Sequence, residues 1–213
     1  MVRQERAIAT RQQIVKGAAE MFDREGYERA TLADIVDHCG LTKGALYFHF
    51  KSKDELATVV IEEQHAVAMN AVKAINATAA PALEQIVMLC YEMGREMVDD
   101  PFVRAGIRLT LELSAVAGPR KPYLDWITSC EQMLRAAVEE GDVLDTLDTA
   151  DLAYYIISAF TGVQLVSNVL TARADLDARI DQMLTFVLAT VVPPRRRHKI
   201  DTIRHARWVP AIA

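Results

Sequence analysis

The stretch that decides the fold is LTKGALYFHFKSKDEL, residues 41–56. Thr42 is a residue type that favours the capping position at the start of a helix, so a short helix over about 42–50 is predicted. Ser52, with Glu55 three positions later, is typical of a capping box and predicts a long helix from 52 to about 75. The short helix is therefore followed almost at once by a much longer one.

The segment before this stretch predicts another short helix and a tight turn. Thr31 is the expected cap, with Asp34 three positions later. Gly40 is the expected end and leaves a turn of about three residues before the short helix over 42–50. A first helix is expected from about residue 5 to 24, with Gly26 as its stop. This arrangement has the spacing of a helix-turn-helix. The apolar residues of the second helix follow the i, i+3, i+4, i+7 pattern at Leu32, Ile35, Val36 and Cys39.

The remainder of the chain also reads as helix, so an all-α fold is predicted. We expect a helix-turn-helix DNA-binding domain over 1–51, a helical ligand-binding and dimerisation domain over 52–194, and a basic C-terminal tail over 195–213. The tail sequence RRRHKIDTIRHAR is expected to be solvated or to touch DNA or an acidic neighbour. Further helices are predicted at about 81–98, 101–115, 121–140, 149–171 and 176–191.

The two late helices, 149–171 and 176–191, are apolar on more than one face. Such a helix needs more than one neighbour, so both are either central in the body or also part of a subunit interface. A homodimer is expected, because a lone helix-turn-helix usually needs a twofold partner to gain affinity. The apolar positions are Leu152, Tyr155, Ile156, Ile157, Ala159, Phe160, Val163, Leu165, Val166 and Val169, then Ile180, Met183, Leu184, Phe186, Val187, Leu188 and Val191.

The charge of the chain fits a DNA-binding protein only after it is divided along the sequence. The formal net charge of the 213 residues is −5. Residues 1–53 carry nine Lys and Arg against seven Asp and Glu, residues 54–194 carry nine against twenty-one, and residues 195–213 carry six against one. Mildly basic ends around an acidic middle are compatible with a small DNA-reading domain on an acidic body.

The composition disfavours membrane, secreted and metal-binding proteins. No apolar run approaches the roughly 18 residues of a membrane span. The charged N-terminus lacks the apolar stretch of a signal peptide, so a cytoplasmic location is expected. Cys39, Cys90 and Cys130 are scattered, without a CxxC pair or a His at metal-ligand spacing, which favours core cysteines over a zinc site. No metal and no cofactor are expected.

One face of the short helix over 42–50 is predicted to bind double-stranded DNA, while Leu46 and Phe50 on the other face pack inward. Lys43 and Tyr47 are expected to meet bases or phosphates in the major groove. Gly44 weakens the helix by roughly 1 kcal/mol relative to Ala, which suggests that a DNA strand approaches closely there. The alternative is a helical hairpin with a solvated face. The full set of expected DNA contacts is Thr31, Thr42, Lys43, Gly44, Ala45, Tyr47, His49 and Lys53.

Residues from about 6 to 56 resemble the N-terminal DNA-binding domain of the TetR family of transcriptional regulators. The resemblance rests on TRQQIVKGAAEMFDREGYERATLADIV and LTKGALYFHFKSKDEL. It implies an all-helical, dimeric regulator whose body typically binds a small molecule that releases the operator. The body is more narrowly similar to the γ-butyrolactone autoregulator receptors of actinomycetes, through VRQERA, KGALYFHF, VRAGIRL at 103–109, YLDW at 123–126 and FTGVQLVS at 160–167.

The second resemblance implies that Trp126 lines a ligand pocket, where its indole covers an apolar tail and donates one hydrogen bond. Without the resemblance, Trp126 reads as a core residue. A lactone also needs a few polar groups and apolar walls. If Gln64 touches the ligand, a tilt of its helix changes the separation of the two recognition helices. The candidate polar groups are Gln64, Thr161 and Gln164, and the candidate walls are Phe102, Val103 and Leu109.

Two other classes of function compete with a ligand-released repressor. An enzyme is disfavoured, because His65 after Glu62 and Glu63 lacks HExxH spacing and no phosphate loop or nucleophile elbow is present. An architectural DNA-binding protein would need no pocket in its body. Within the TetR family, a repressor for another hydrophobic ligand, such as an antibiotic or a lipid, keeps the same DNA-binding domain.

Overall fold

A computed structural model describes residues 2–113 and 119–209. Each regular element in these residues is a helix, so the predicted all-α fold is confirmed. The helices are α1 (Val2–Arg29), α2 (Leu32–Cys39), α3 (Lys43–His49), α4 (Lys53–Asn76), α5 (Ala82–Asp99), α6 (Pro101–Leu113), α7 (Lys121–Glu139), α8 (Thr149–Thr171), α9 (Leu176–Val191), a 3₁₀ helix (Pro194–Lys199) and α10 (Ile200–Arg204).

The chain packs as two compact units. The first unit contains Met1–Val67 and Asp99–Arg120, and the second contains Ala68–Val98 and Lys121–Ala213. This division differs from the boundaries expected near residues 51 and 194. Helix α6 packs with α1 in the first unit, and the segment beyond 194 belongs to the second.

Local capping fixes the helix-turn-helix of the first unit. The Thr31 hydroxyl accepts a hydrogen bond from the Asp34 N–H at 3.1 Å, and the Asp34 carboxylate accepts one from the Thr31 N–H at 3.3 Å. This is the predicted capping box. Gly40 ends α2 with φ 64°, in the left-handed region that glycine adopts without a steric penalty. The turn then leads to Thr42, whose hydroxyl accepts from the Ala45 N–H at 3.2 Å and caps α3.

The start of α4 differs from its prediction by one residue. Ser52 accepts from the Glu55 N–H at 3.1 Å, as a capping box requires. The Glu55 carboxylate, however, accepts from the N–H of Lys51 at 2.7 Å instead of from Ser52. The side chain of Glu55 therefore closes the turn between α3 and α4 as well as the helix start.

Leu46 and Phe50 lie in the core of the first unit, as predicted from their spacing. Leu46 is fully buried and Phe50 is 1% exposed. They belong to a cluster with Ile35 and Val36 of α2. Since the inward face of α3 is used for packing, its opposite face is left for solvent or a partner. The rest of this core comes mainly from α1, α4 and α6, through Ile14, Val15, Ala18, Ala19, Met21, Phe22, Ala30, Leu56, Ala57, Val60, Ile61, Ala105 and Leu109.

In the second unit, α8 packs against α7 and α9. The predicted apolar stripe of α9 is buried at Ile180, Met183, Leu184, Val187, Leu188 and Val191. Helix α8 behaves differently, because much of its apolar surface is exposed. By length and composition alone it is long and apolar enough to cross a membrane, although the sequence reading found no such segment.

Up to residue 209, the basic C-terminal segment is packed against the second unit and is not a free tail. It forms the 3₁₀ helix and α10, and its Ile203 is 2% exposed. Arg196 and Lys199 lie 3.4 and 3.6 Å from the carboxylate of the buried Asp142. Contact with an acidic neighbour, one of the three outcomes expected for this segment, is therefore observed.

Candidate nucleic-acid interface

The outward face of α3 presents most of the predicted DNA contacts to solvent. Thr42, Lys43 and Gly44 are exposed, and the Tyr47 side chain is 57% exposed. Ala45 and His49 are half-buried on the same short helix. The face thus combines a cation, an aromatic ring with a hydroxyl, and a small-residue surface, which are groups that contact phosphates and base edges in a major groove.

Phe48 is a surface residue that the sequence reading missed. It is 79% exposed, and its ring lies edge-on to His49 with the ring centroids 4.9 Å apart. A large apolar ring in water is unfavourable unless a partner covers it. The helical spacing contained this information, since Leu46 and Phe50 point inward and residue 48 lies between them.

Gly44 is not required by packing within the chain itself. A β-carbon at this position meets nothing nearer than the Thr42 hydroxyl, at 3.9 Å, and the residue does not have a positive φ. Its cost in helix propensity therefore has no compensation among the described residues. Packing among the described residues therefore gives no reason for a glycine at this position, and the close approach of DNA stays a prediction.

Two of the predicted DNA contacts, Lys53 and Thr31, already have internal partners. The Lys53 ammonium donates to the Tyr27 carbonyl at 2.7 Å and lies 4.2 Å from the centroid of the Tyr27 ring. Lys53 therefore caps the end of α1, which is a structural task that the sequence did not reveal. Thr31 is occupied by its capping box with Asp34. Both residues support the helix-turn-helix, and their contact with DNA stays a prediction.

In the second unit, the structure brings Trp126 and Thr161 to a shared neighbour, Tyr123. The rings of Tyr123 and Trp126 meet edge-on with centroids 5.0 Å apart. The Tyr123 hydroxyl lies 3.4 Å from that of Thr161, which itself donates to the Ile157 carbonyl at 2.9 Å. Tyr123 is thus the donor, and burial raises the pKa of its phenol. Tyr123 was not predicted as a site residue, although it belongs to the YLDW stretch.

Gln164 lies one helical turn beyond Thr161 on α8. It is 1% exposed, and its side-chain carbonyl oxygen has no hydrogen-bond partner among the described residues. A buried polar atom left unpaired costs about 1–3 kcal/mol. This oxygen is therefore ready to accept a hydrogen bond.

The first unit contains the other predicted ligand contacts. Gln64 is fully buried, and neither of its amide atoms has a hydrogen-bond partner in the part of the chain that the structure describes. Leu109 packs in the core around α1 and Phe102 packs against it, and their role as pocket walls stays a prediction. Val103 is buried on the same helix, at 1% exposure.

The described residues can also be compared with the requirements of a metal centre and of a reactive thiol. Among residues 2–113 and 119–209, no cluster of three or more His, Cys, Asp or Glu side chains is placed to hold a metal ion. Cys90 and Cys130 are buried free thiols, and burial raises the pKa of Cys90 to about 12. A thiol with so high a pKa is a poor nucleophile at neutral pH.

Two family models match most of the chain. Residues 14–60 match the model for bacterial regulatory proteins of the tetR family. Residues 80–193 match the model of the tetracyclin repressor-like C-terminal domain. The chain belongs to the TetR family. TetR-family proteins are DNA-binding transcriptional regulators and not enzymes, as predicted.

Individual relatives within the TetR family point to one branch. The A-factor receptor protein of Streptomyces griseus is 35% identical over 194 residues, which cover 91% of this chain and 68% of the relative. A solved γ-butyrolactone receptor, described as ArpA-like, superposes with a TM-score of 0.81 at 32% identity, covering 93% of this chain and 96% of that one. The structure of CprB of Streptomyces coelicolor in complex with its biological operator sequence superposes with a TM-score of 0.77 at 32% identity. The match covers 93% of this chain and 96% of CprB. The chain is a TetR-type DNA-binding repressor related to γ-butyrolactone receptors.

Proposed function

We propose that this repressor binds a pseudo-palindromic operator as a homodimer and is released from it by a γ-butyrolactone-type signalling molecule. The DNA-binding part is supported by the outward face of α3, with Lys43, Tyr47 and Phe48 exposed beside the small residues Gly44 and Ala45. A TetR-type repressor acts where the chromosome is, so we place it in the cytoplasm.

The homodimer is supported by the exposed apolar surface of α8 and α9. Val169 is 81% exposed, Leu170 72% and Phe186 73%. Large apolar side chains exposed in this number favour an interaction site. A twofold contact here explains why α8 is apolar enough for a membrane, and it supplies two recognition helices for successive major grooves, about 34–36 Å apart. The other exposed apolar residues of α8 are Tyr154, Tyr155, Leu165 and Val166.

The observation that carries the ligand part is the unpaired, fully buried amide of Gln64. A carboxamide has both a donor and an acceptor, and a hydroxylated lactone carries the complementary groups. Within the second unit, considered by itself, the unpaired Gln164 oxygen and the Tyr123–Trp126 ring pair are a separate acceptor and aromatic surface suited to a small molecule. Buried polar groups without partners favour a ligand that satisfies them, because pairing removes their desolvation penalty.

The deciding experiment is operator release. Fluorescently labelled DNA from the promoter region of the protein's own gene is bound to the repressor, and γ-butyrolactones of different chain length are titrated while anisotropy is followed. We expect release at low lactone concentration in the wild type. Trp126→Ala should keep operator binding and lose release, whereas Trp208→Ala, a matched change at the other tryptophan, should keep both.

Gln64→Leu tests directly whether release requires the unpaired, buried amide of Gln64. The substitution conserves size and removes the unpaired amide, so the free protein should become as stable as wild type or more stable. Release by lactone should be lost. Tight operator binding with no release by any lactone, but release by an antibiotic or a lipid, would replace the lactone with another hydrophobic ligand.

A further inference from the structure

One carboxylate holds the turn between α8 and α9 together. Oδ1 of Asp175 accepts hydrogen bonds from the hydroxyls of Ser167 and Thr171, both at 2.6 Å, and Oδ2 accepts from Nε of Arg179 at 2.7 Å. Ser167 and Thr171 lie at the end of α8, and Arg179 lies at the beginning of α9. These hydrogen bonds hold the pKa of Asp175 well below its usual range, so the side chain is an anion that accepts from both helices.

Asp175 occupies a position where an aspartate ordinarily caps the helix that follows it. It directly precedes α9, yet its side chain makes no capping hydrogen bond to the N–H groups of that helix, all of which the structure describes. Its carboxylate reaches back to the hydroxyl groups of α8 instead. The residue therefore forgoes a bond that would stabilise α9 alone and forms bonds that join α9 to α8.

The backbone of this turn needs such support. Ala172 and Arg173 follow one another in the left-handed region, with φ 49° and 67°, which residues with a β-carbon rarely adopt. Their N–H groups donate to the carbonyls of Asn168 and Ser167 at 3.1 and 3.2 Å. A strained backbone of this kind persists only where surrounding contacts fix it. The carboxylate of Asp175 supplies contacts of this kind from within the turn.

The same turn adjoins the exposed apolar side chains of the proposed dimer interface. Val166, Val169 and Leu170 lie in the last two turns of α8 and are largely exposed. Ser167 lies among them in sequence, but it is buried and donates to Asp175. An interface made of two helices keeps one shape only if the helices keep one crossing angle. A face that is fixed before association also loses less conformational freedom on binding.

We propose that Asp175 is a positioning residue for the homodimer, because its bonds to Ser167 and Thr171 fix α9 against α8 at the angle at which the exposed faces of two chains match. The inference rests on the proposed function in one respect, namely that the homodimer forms through these two helices. Both hydroxyls of α8 bind a single oxygen, Oδ1, so an amide oxygen can take its place. The bond to Arg179 stays within α9 and the residue before it, so it does not link the helices.

Asp175→Ala tests the link in the full chain. We expect the dimer dissociation constant, measured by sedimentation equilibrium, to rise about tenfold or more, because ordering α8 against α9 becomes part of association. Asp175→Asn should stay within about threefold of wild type, since its amide oxygen still accepts from Ser167 and Thr171. A wild-type dissociation constant in Asp175→Ala would overturn the inference. An equal loss in Asp175→Asn would also overturn it, because charge would then explain the effect.

Asp148→Ala is the matched control, because Asp148 caps the other end of α8. Its carboxylate accepts from the N–H groups of Ala150 and Asp151 at 2.8 and 3.0 Å, and both of these bonds belong to the start of α8. The substitution weakens α8 without touching its link to α9, so the dimer dissociation constant should stay within about threefold of wild type. Equal weakening of the dimer in Asp148→Ala and Asp175→Ala would overturn the positioning role, because a general loss of helix stability would explain both.

Hydrogen exchange separates this inference from the homodimer itself. In the background of Phe186→Glu, which is expected to be monomeric, Asp175→Ala should accelerate exchange of the Ala172 and Arg173 N–H groups about tenfold or more, and Asp148→Ala should not. Unchanged exchange rates would overturn the role of Asp175 in the turn. A wild type that stays monomeric would remove the proposed homodimer and the assembly role together, while the exchange rates would still show whether Asp175 joins α8 to α9.

Discussion

The guanidinium of Arg204 donates a hydrogen bond to the carboxylate of Asp181 at 2.8 Å and ties α10 to α9. The Tyr91 hydroxyl donates to the same carboxylate at 3.0 Å, and the Arg207 guanidinium lies 3.1 Å from the centroid of the Tyr91 ring. With Ile203 buried between these contacts, the basic segment belongs to the fold of the second unit.

Shortening Ile203 should therefore destabilise the protein. Ile203→Ala removes buried methyl groups and leaves a cavity, which costs about 2–5 kcal/mol. Val209→Ala is the control, because Val209 is 79% exposed. Urea unfolding followed by circular dichroism measures both. Equal stabilities of the two variants would show that the segment does not pack in solution.

Removing the Tyr47 side chain should weaken operator binding without unfolding the protein. Tyr47→Ala is expected to cost about 1–3 kcal/mol of binding free energy if the ring contacts bases or phosphates. Its effect on the free energy of unfolding should stay within about 0.5 kcal/mol, because the side chain is exposed. Anisotropy titrations and thermal unfolding give the two values, and Phe48→Ala should behave in the same way. Wild-type operator affinity in both variants would exclude this face of α3.

Lys43→Ala should change the salt dependence of operator binding if Lys43 contacts a phosphate. Each neutralised phosphate contributes close to one counterion, so the slope of log K against log salt concentration should fall by about 1. Lys73 is also exposed but lies on the part of α4 that belongs to the second unit, so Lys73→Ala should leave the slope unchanged. An unchanged slope in Lys43→Ala would indicate that this residue reads a base or contacts nothing.

Charges on the exposed face of α8 and α9 should dissociate the dimer. Val169→Glu and Phe186→Glu each bury an unpaired carboxylate in the proposed interface, which is strongly unfavourable. Sedimentation velocity should show monomers for both at concentrations where wild type is dimeric. Leu124→Glu, at a residue 54% exposed on α7, is the control and should remain dimeric. Dimers in all three variants would place the interface elsewhere.

Alkaline pH should destabilise the protein in part through Cys90. Burial raises the pKa of this thiol from 9.0 to about 12, so between these values the folded state keeps a proton that the unfolded chain loses. Stability conferred by the neutral thiol is complete below pH 9 and declines as the pH rises toward 12, by up to about 1.4 kcal/mol per pH unit. The stability deficit of Cys90→Ala relative to wild type should thus shrink by about 2 kcal/mol between pH 8 and 10.5. Urea unfolding at pH 8 and pH 10.5 measures this difference in the free energy of unfolding between Cys90→Ala and wild type. The same difference at both pH values would contradict the prediction.

The sequence predicted those features that depend on neighbouring residues. The caps at Thr31 and Thr42 and the turn at Gly40 are local, because each is decided within four positions. The inward placement of Leu46 and Phe50 follows from helical spacing alone. The same local logic also predicted the all-helical fold.

Features that depend on distant residues were not predicted. The partner of Lys53 is 26 positions away at Tyr27, and no pattern in either segment indicates the pair. The hydroxyl of Tyr123 lies beside that of Thr161, 38 positions away, because α7 and α8 pack together. The basic C-terminal segment read as solvated because its partners lie on helices far from it in sequence. Contacts between side chains of different helices depend on how those helices pack together. No local pattern in the sequence predicts that packing.

If the proposed dimer forms through the apolar face of α8, control of the gene also depends on the amount of repressor in the cell. Each chain exposes this face to water and contributes one predicted recognition helix, α3, so the proposed operator of two half-sites would be bound by a pair of chains. Where monomers predominate, the concentration of dimers rises with the square of the total chain concentration. Halving the total chain concentration then leaves about one quarter of the dimers. Growth and division would then lower operator occupancy more steeply than they dilute the protein, even before any small molecule arrives.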